Sequence, residues 1–174
     1  MKNYLTITLL CMATIFSSCS SGGEKEIAGA KLSTTAESKA MGSAKFFLLE
    51  DGMIKMDLEI DYPAKADSTV AVHFHEHGDC GNMGENTHGH WNPTKEAHGK
   101  WGSAAYHSGD IGNITLDDKG HGVISVTTDR WSIEENAENN IVGRGIIVHG
   151  GTDDYTTQPT GNSGPRIGCG VITK

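Results

Sequence analysis

Residues 53–61 read Met53-Ile54-Lys55-Met56-Asp57-Leu58-Glu59-Ile60-Asp61. Ile54, Met56, Leu58 and Ile60 fall on one face of an extended chain, and Lys55, Asp57, Glu59 and Asp61 on the other. Side chains alternate with period two along a strand, so this pattern marks an antiparallel strand with one face in a core and one in water. Glu50-Asp51-Gly52 before it reads as a turn, and residues 45–49 as the other arm of a hairpin. Further on, residues 70–75 place Val70, Val72 and Phe74 on one face. Residues 111–116 and 122–127 flank Asp117-Asp118-Lys119-Gly120 and read as a second hairpin, and residues 146–149 and 168–172 complete the strands. Only residues 132–140 look mildly helical. Short strands separated by glycine-rich turns predict an all-β fold, a β-sandwich or barrel. Two long loops, 76–110 and 150–165, interrupt the strands, and loops of that length in a compact domain usually carry function.

The chain has 174 residues, enough for one domain with a substantial core. It carries 14 Lys+Arg against 22 Asp+Glu, a net charge of −8, which argues against a phosphate-backbone binder and hence against a nucleic-acid partner. Nine histidines beside only 6% aromatic residues are the unusual entry in the composition.

The N-terminus reads as an address. Lys2 precedes the uncharged, mostly apolar run 5–16, and the small residues Ser17-Ser18-Cys19 follow as a cleavage site. A run of about 12 residues spans roughly 18 Å as a helix, too short for a hydrocarbon core of about 30 Å. Residues 1–18 are therefore expected to be a signal peptide. Phe16-Ser17-Ser18-Cys19 also resembles a bacterial lipobox, which implies a lipid on Cys19, with 19–26 as a polar tether and the folded domain over 27–174. Expected localisation is then outside the cytoplasm, in the periplasm or on the cell surface, anchored to a membrane by lipid. Export leaves Cys80 and Cys169 in an oxidising compartment, where one disulfide is the default and two free thiols the alternative. Such a bridge would close a loop of about 90 residues, for roughly 4 kcal/mol by loop entropy. Loss of residues 1–18 removes Lys2 alone among the charges, leaving 13 Lys+Arg against 22 Asp+Glu, a net −9.

The histidines cluster. His73 and His75 flank Phe74 on a strand, so both imidazoles point to one face while Phe74 enters the core. Two convergent imidazoles are half a copper or zinc site. His90, His98, His107 and Asp110 offer three imidazoles and a carboxylate, a donor set suited to tetrahedral zinc. Ligation would also explain how a loop of little apolar content becomes ordered. His149 closes the apolar strand Ile146-Ile147-Val148 and could complete a ligand set.

The motifs His73-Phe74-His75-Glu76-His77-Gly78-Asp79-Cys80, Gly89-His90-Trp91-Asn92-Pro93 with His98-Gly99, and His107-Ser108-Gly109-Asp110-Ile111-Gly112-Asn113 occur in that order. Gly143-Arg144-Gly145-Ile146-Ile147-Val148-His149, Asp153-Asp154 and Gly161-Asn162-Ser163-Gly164-Pro165-Arg166-Ile167-Gly168-Cys169-Gly170-Val171-Ile172 follow. On these residues the sequence resembles the copper/zinc superoxide dismutase family across about 27–174, which implies a flattened Greek-key β-barrel or immunoglobulin-like sandwich of about eight antiparallel strands. The resemblance implies one copper per subunit on His73, His75, His90 and His149, and one zinc on His90, His98, His107 and Asp110, with His90 bridging the two. It implies that Asp153 joins a copper ligand to a zinc ligand, that Arg166 attracts the anionic substrate, and that Cys80–Cys169 is the family disulfide. His77, His88 and His121 match no ligand position.

The implied reaction is dismutation of superoxide to O2 and H2O2 by redox-cycling copper, with His90 delivering a proton and the enzyme protecting the cell envelope. Dimers are common among such proteins, and the resemblance admits a homodimer without fixing its interface. The acidic balance opposes encounter with an anion, and residues 150–165 contain no Lys or Arg where members of the family often carry steering lysines. Lys95 and Lys100 add positive charge in the zinc loop. Two other readings use the same residues: a non-catalytic copper/zinc-binding envelope lipoprotein that buffers metal, and a zinc-stapled surface domain. The second leaves His73, His75, His149 and Arg166 without a role.

Overall fold

The computed structural model describes residues 24–174; the expected signal peptide, Cys19 and most of the expected tether lie outside them. Eight strands, β1 (Lys25–Thr34), β2 (Ala40–Leu48), β3 (Ile54–Asp61), β4 (Thr69–His75), β5 (Asp110–Thr115), β6 (His121–Thr128), β7 (Gly145–His149) and β8 (Arg166–Val171), follow one another along the chain. They form one sheet in the order β5-β4-β7-β8-β1-β2-β3-β6, with every pair antiparallel. The sheet curls into a nearly closed barrel, in agreement with the all-β expectation.

The strand read first behaves as its alternation requires. Ile54, Met56, Leu58 and Ile60 are buried and pack with Phe46, Phe74 and Trp131, whose rings lie 5.0–6.1 Å apart. Each such side chain contributes about 1.5–3 kcal/mol by leaving water. Trp131 also donates its indole N–H to the Ser108 carbonyl at 2.8 Å, tying the core to the loop that carries His107 and Asp110.

Three sequence expectations are corrected. Residues 111–116 and 122–127 are not a hairpin: β5 pairs with β4 and β6 with β3, at opposite ends of the strand order. The turn between them is real, because the Asp117 carboxylate accepts the Lys119 and His121 backbone N–H groups, but it carries the chain from one barrel edge to the other. Residues 132–140 form no helix; backbone bonds from Ser132 to Asn139 and from Ile141 to Ser132 close them into a loop. The sequence pattern gives no strand for residues 25–34, yet β1 joins β8 to β2. Its start at Lys25 takes up the last two residues of the expected tether.

Two irregularities in the ladder position the site. The β4–β5 register shifts between Val72 and His73, so His73 pairs with Asp110. The β7–β8 register shifts between Val148 and His149, so His149 pairs with Arg166. A bulge re-aims the side chains beside it, and here both bulges lie where a histidine meets a charged partner. An isolated bridge sets His90 opposite His75. Cys80 and Cys169 are joined by a disulfide, which fastens the loop after β4 to β8.

Candidate metal centre

β4 is buried on both faces from Val70 to His75. One face meets the barrel core through Val70, Val72 and Phe74; the other, bearing His73 and His75, lies beneath the two long loops. His73, His75, His90 and His149 place one ligand atom each within 4.8 Å of one another, and so do His90, His98, His107 and Asp110. All seven residues are buried. Every ligand position expected from the sequence is thus brought into one of two groups that share His90.

The second nitrogen of each imidazole in the first group has a fixed partner. His73 Nε2 donates to Asp153 Oδ2 at 2.8 Å, His75 Nδ1 to the His88 carbonyl at 2.8 Å, and His149 Nδ1 to the Gly164 carbonyl at 3.1 Å. His90 Nδ1 lies 2.9 Å from Asp110 Oδ1. The first three bonds set ring orientation and leave the opposite nitrogen free, whereas His90 faces the second group with Nδ1 and the first with Nε2. Asp153 Oδ1 accepts His98 Nε2 at 2.9 Å, so a single carboxylate joins the two groups.

The free nitrogens are the test of whether cations belong here. Among the described residues, seven buried side-chain N or O atoms have no hydrogen-bond partner. Six are imidazole nitrogens of this centre: His73 Nδ1, His75 Nε2, His90 Nε2, His149 Nε2, His98 Nδ1 and His107 Nδ1. Buried polar atoms are otherwise nearly always paired, so six orphans in one place require a partner other than protein. His98 Nδ1 and His107 Nδ1 lie 3.0 and 3.2 Å from Asp110 oxygens but out of line for an N–H···O bond, as co-ligands of one ion would be. An all-imidazole set fits copper, and three imidazoles with one carboxylate fit zinc.

Electrostatics prepare both sets. Burial lowers the His75 pKa to about 2, that of His149 to about 3 and that of His90 to about 4, so at neutral pH they are neutral imidazoles, the form that can ligate a metal. Burial lowers His73 in the same direction. His98 differs: burial pushes it down, but Asp110 and Asp153 on either side outweigh burial and raise it to about 9. Burial pushes the Asp110 carboxyl up, and the imidazoles of His107, His90 and His98 more than reverse this, holding it ionised.

Arg166 lies beside the four-histidine group, paired with His149 in the ladder. Its guanidinium donates to the Gly84 carbonyl and Thr87 Oγ1 at 2.6 Å each and to the His88 carbonyl at 2.7 Å, with Glu85 3.5 Å from its Nε. Its charge is felt by both His75 and His149. Residues 40–172 match the family model for copper/zinc superoxide dismutase (SODC).

The chain belongs to the copper/zinc superoxide dismutase family.

Curated relatives within this superoxide dismutase family agree. "Superoxide dismutase [Cu-Zn] 1" of Aquifex aeolicus (strain VF5) is 34% identical over 137 residues, covering 76% of this chain and 79% of its own. "Superoxide dismutase [Cu-Zn]" of Yarrowia lipolytica is 33% identical over 147 residues, 78% of this chain and 91% of its own. Among solved structures, a double mutant of a SOD-like protein from Bacillus subtilis superposes with a TM-score of 0.75 at 28% identity, over 84% of this chain and 97% of that one. The clock protein EA4 superposes with a TM-score of 0.74 at 32% identity, over 84% of this chain and 92% of that one.

Several supporting residues escaped the sequence reading. The Asn113 side chain accepts the Asp153 backbone N–H and donates to the Asp153 carbonyl, both at 2.9 Å. The Gln158 amide clamps the His98 backbone in the same two-way fashion. Gly161 has φ +67, and a Cβ there would fall 1.8 Å from Asp153 Oδ1; only glycine leaves room for the carboxylate that joins the two groups. Asn113 and Gly161 lie within the motifs quoted from the sequence, though without a stated role, whereas nothing in the sequence pointed to Gln158. Lys95 lines the cleft that also exposes an edge of His90 and His107, whereas Lys100 lies over the Tyr155 ring.

Proposed function

We propose that this chain dismutes superoxide to O2 and H2O2, with copper held by His73, His75, His90 and His149 and zinc by His90, His98, His107 and Asp110. One observation carries the reading: four buried imidazole nitrogens without partners stand together beside a fixed arginine. When bound, copper supplies one-electron redox chemistry and zinc a fixed divalent charge. The remaining contributions belong to the protein. Asp153 holds His73 and His98 at a constant mutual orientation. The carbonyls of His88 and Gly164 aim His75 and His149. His90 offers one nitrogen to each group, and its Nε2 is the position at which a proton for peroxide can be held. Arg166 supplies the positive charge nearest to the four imidazoles and orients an incoming anion.

Metal analysis combined with a superoxide-consumption assay tests this. About one copper and one zinc per chain, with activity lost on chelation and recovered on adding copper, is the expected result. Both metals bound without superoxide consumption would reject dismutation and favour a metal-buffering protein.

We further propose that the chain is exported as a lipoprotein and protects the cell envelope, acylated on Cys19 after removal of residues 1–18. The Cys80–Cys169 disulfide supports the export part of this reading, since such bonds form and persist most readily in oxidising compartments. Metabolic labelling with a fatty acid should mark the wild-type chain and leave Cys19→Ser unlabelled; equal labelling of both would refute acylation at Cys19.

A further inference from the structure

Three side chains just outside the buried centre have no part in it. Glu76 and His77 follow the end of β4, and His88 closes the short 3-10 segment Asn82–Thr87. All three are exposed. Their ligand atoms lie within 4.8 Å of one another, and the His77 and His88 rings meet edge to face with centroids 4.7 Å apart. His88 Nδ1 stands 4.0 Å from a Glu76 carboxylate oxygen, beyond hydrogen-bond reach. These groups converge without satisfying one another. The surface group of Glu59, Asp61 and His121 differs, because there His121 Nδ1 already donates to Asp61 at 2.9 Å.

The backbone of His88 adds a second observation. It has φ +62 and ψ −139, a region that belongs essentially to glycine. The conformation is held from within, because the His88 carbonyl accepts both His75 Nδ1 and Arg166 Nη2. Glycine would present the same carbonyl without strain, so an imidazole at this position needs a reason of its own.

We propose that Glu76, His77 and His88 form a third metal site, for a divalent ion of borderline softness such as Zn2+ or Cu2+, on the rim of the buried centre. Two imidazoles and a carboxylate are a donor set that these ions accept, with water completing the coordination. Exposure makes the site weaker and faster to exchange than the two buried groups. An ion there is linked through the His88 backbone to His75 and Arg166, so its arrival bears on both.

The test uses protein first loaded with one copper and one zinc per chain, then titrated with Zn2+ in a calorimeter. The loading step reports on the buried groups by itself, so failure there and failure at the rim are separate results. The wild-type chain should take up a third equivalent. His77→Ala, His88→Gly and Glu76→Gln should each weaken it at least about tenfold, since even outer-sphere changes cost that much. His121→Ala should leave it unchanged. His88→Gly suits the local backbone, so a loss of binding in that variant cannot be assigned to misfolding. Absence of a third equivalent, its survival in His77→Ala and His88→Gly, or its loss in His121→Ala would overturn the proposal.

Discussion

Adding zinc to the metal-free protein is expected to raise its unfolding midpoint by roughly 8–16 °C when free zinc stands about a thousandfold above its dissociation constant. A ligand that binds only the folded state stabilises it by about 4 kcal/mol at that excess. A domain of this size shifts by about 2–4 °C per kcal/mol. The sign follows from the unpaired His98 and His107 nitrogens, which an unfolded chain would give to water and the folded chain gives to nothing. Asp110 already gathers His90, His98 and His107 around one carboxylate, so little rearrangement opposes binding. His98 adds a pH dependence. Its pKa is raised from 6.5 to about 9, so its contribution to the metal-free fold is fully present below about 6.5 and lost as pH rises through about 9. Zinc must displace that proton, so apparent zinc affinity should climb with pH up to about 9. Scanning calorimetry with and without zinc, repeated on Asp110→Asn, measures both effects. An unchanged midpoint in the wild type, or an undiminished zinc-induced shift in Asp110→Asn, would remove the zinc assignment from this group.

The parts of the molecule that the sequence disclosed are those in which a side chain announces its own environment. Residues 53–61 alternate because one face is buried, and His73 and His75 share a face because strand geometry leaves no alternative. The misreadings arose where partners are distant. Asp117 makes the same turn whether the flanking strands pair with each other or with β4 and β3, so local chemistry could not separate a hairpin from an edge-to-edge connection. β1 contains Ala28, Gly29 and Ala30, weak strand formers that extend because β2 and β8 lie on either side. In the metal centre the six histidines, Asp110 and Asp153 stood out in the sequence, and the backbone groups that aim the other rings did not. The acceptors for His75 and His149 are the backbone carbonyls of His88 and Gly164, and a carbonyl has no signature in a sequence. Arg166 was legible as a cation, but its pairing with Glu85 depends on how residues 82–87 fold back against β8.

That pairing leads to the other large effect. Arg166→Ala is expected to lower kcat/KM for superoxide by about tenfold to a hundredfold at low ionic strength, and Glu85→Gln to raise it by about two- to threefold. The chain without residues 1–18 carries 13 Lys+Arg against 22 Asp+Glu, so an approaching anion is repelled until it comes within a Debye length of about 8–10 Å. Inside that distance single charges dominate. Residues 150–165 contribute no Lys or Arg, which leaves Arg166 as the cation opposite His149 in the ladder. A factor of ten to a hundred corresponds to roughly 1.4–2.8 kcal/mol. Two unit charges 4 Å apart at an effective dielectric near 20 interact by about 4 kcal/mol, so the effect lies within reach of one fixed guanidinium. Three bonds to Gly84, Thr87 and His88 hold that guanidinium in place, so the anion meets a charge whose ordering cost has already been met. Glu85 opposes it from 3.5 Å, but its side chain is 60% exposed and screened, which is why its removal is worth less. Salt separates the two variants further. Rates should fall with ionic strength in the wild type, fall more steeply in Glu85→Gln, and flatten in Arg166→Ala. Arg166→Lys retains the charge but loses the planar fork that reaches three acceptors, so it should recover only part of the loss. Equal kcat/KM for wild type and Arg166→Ala at low ionic strength would show that the anion is drawn in by the metals alone.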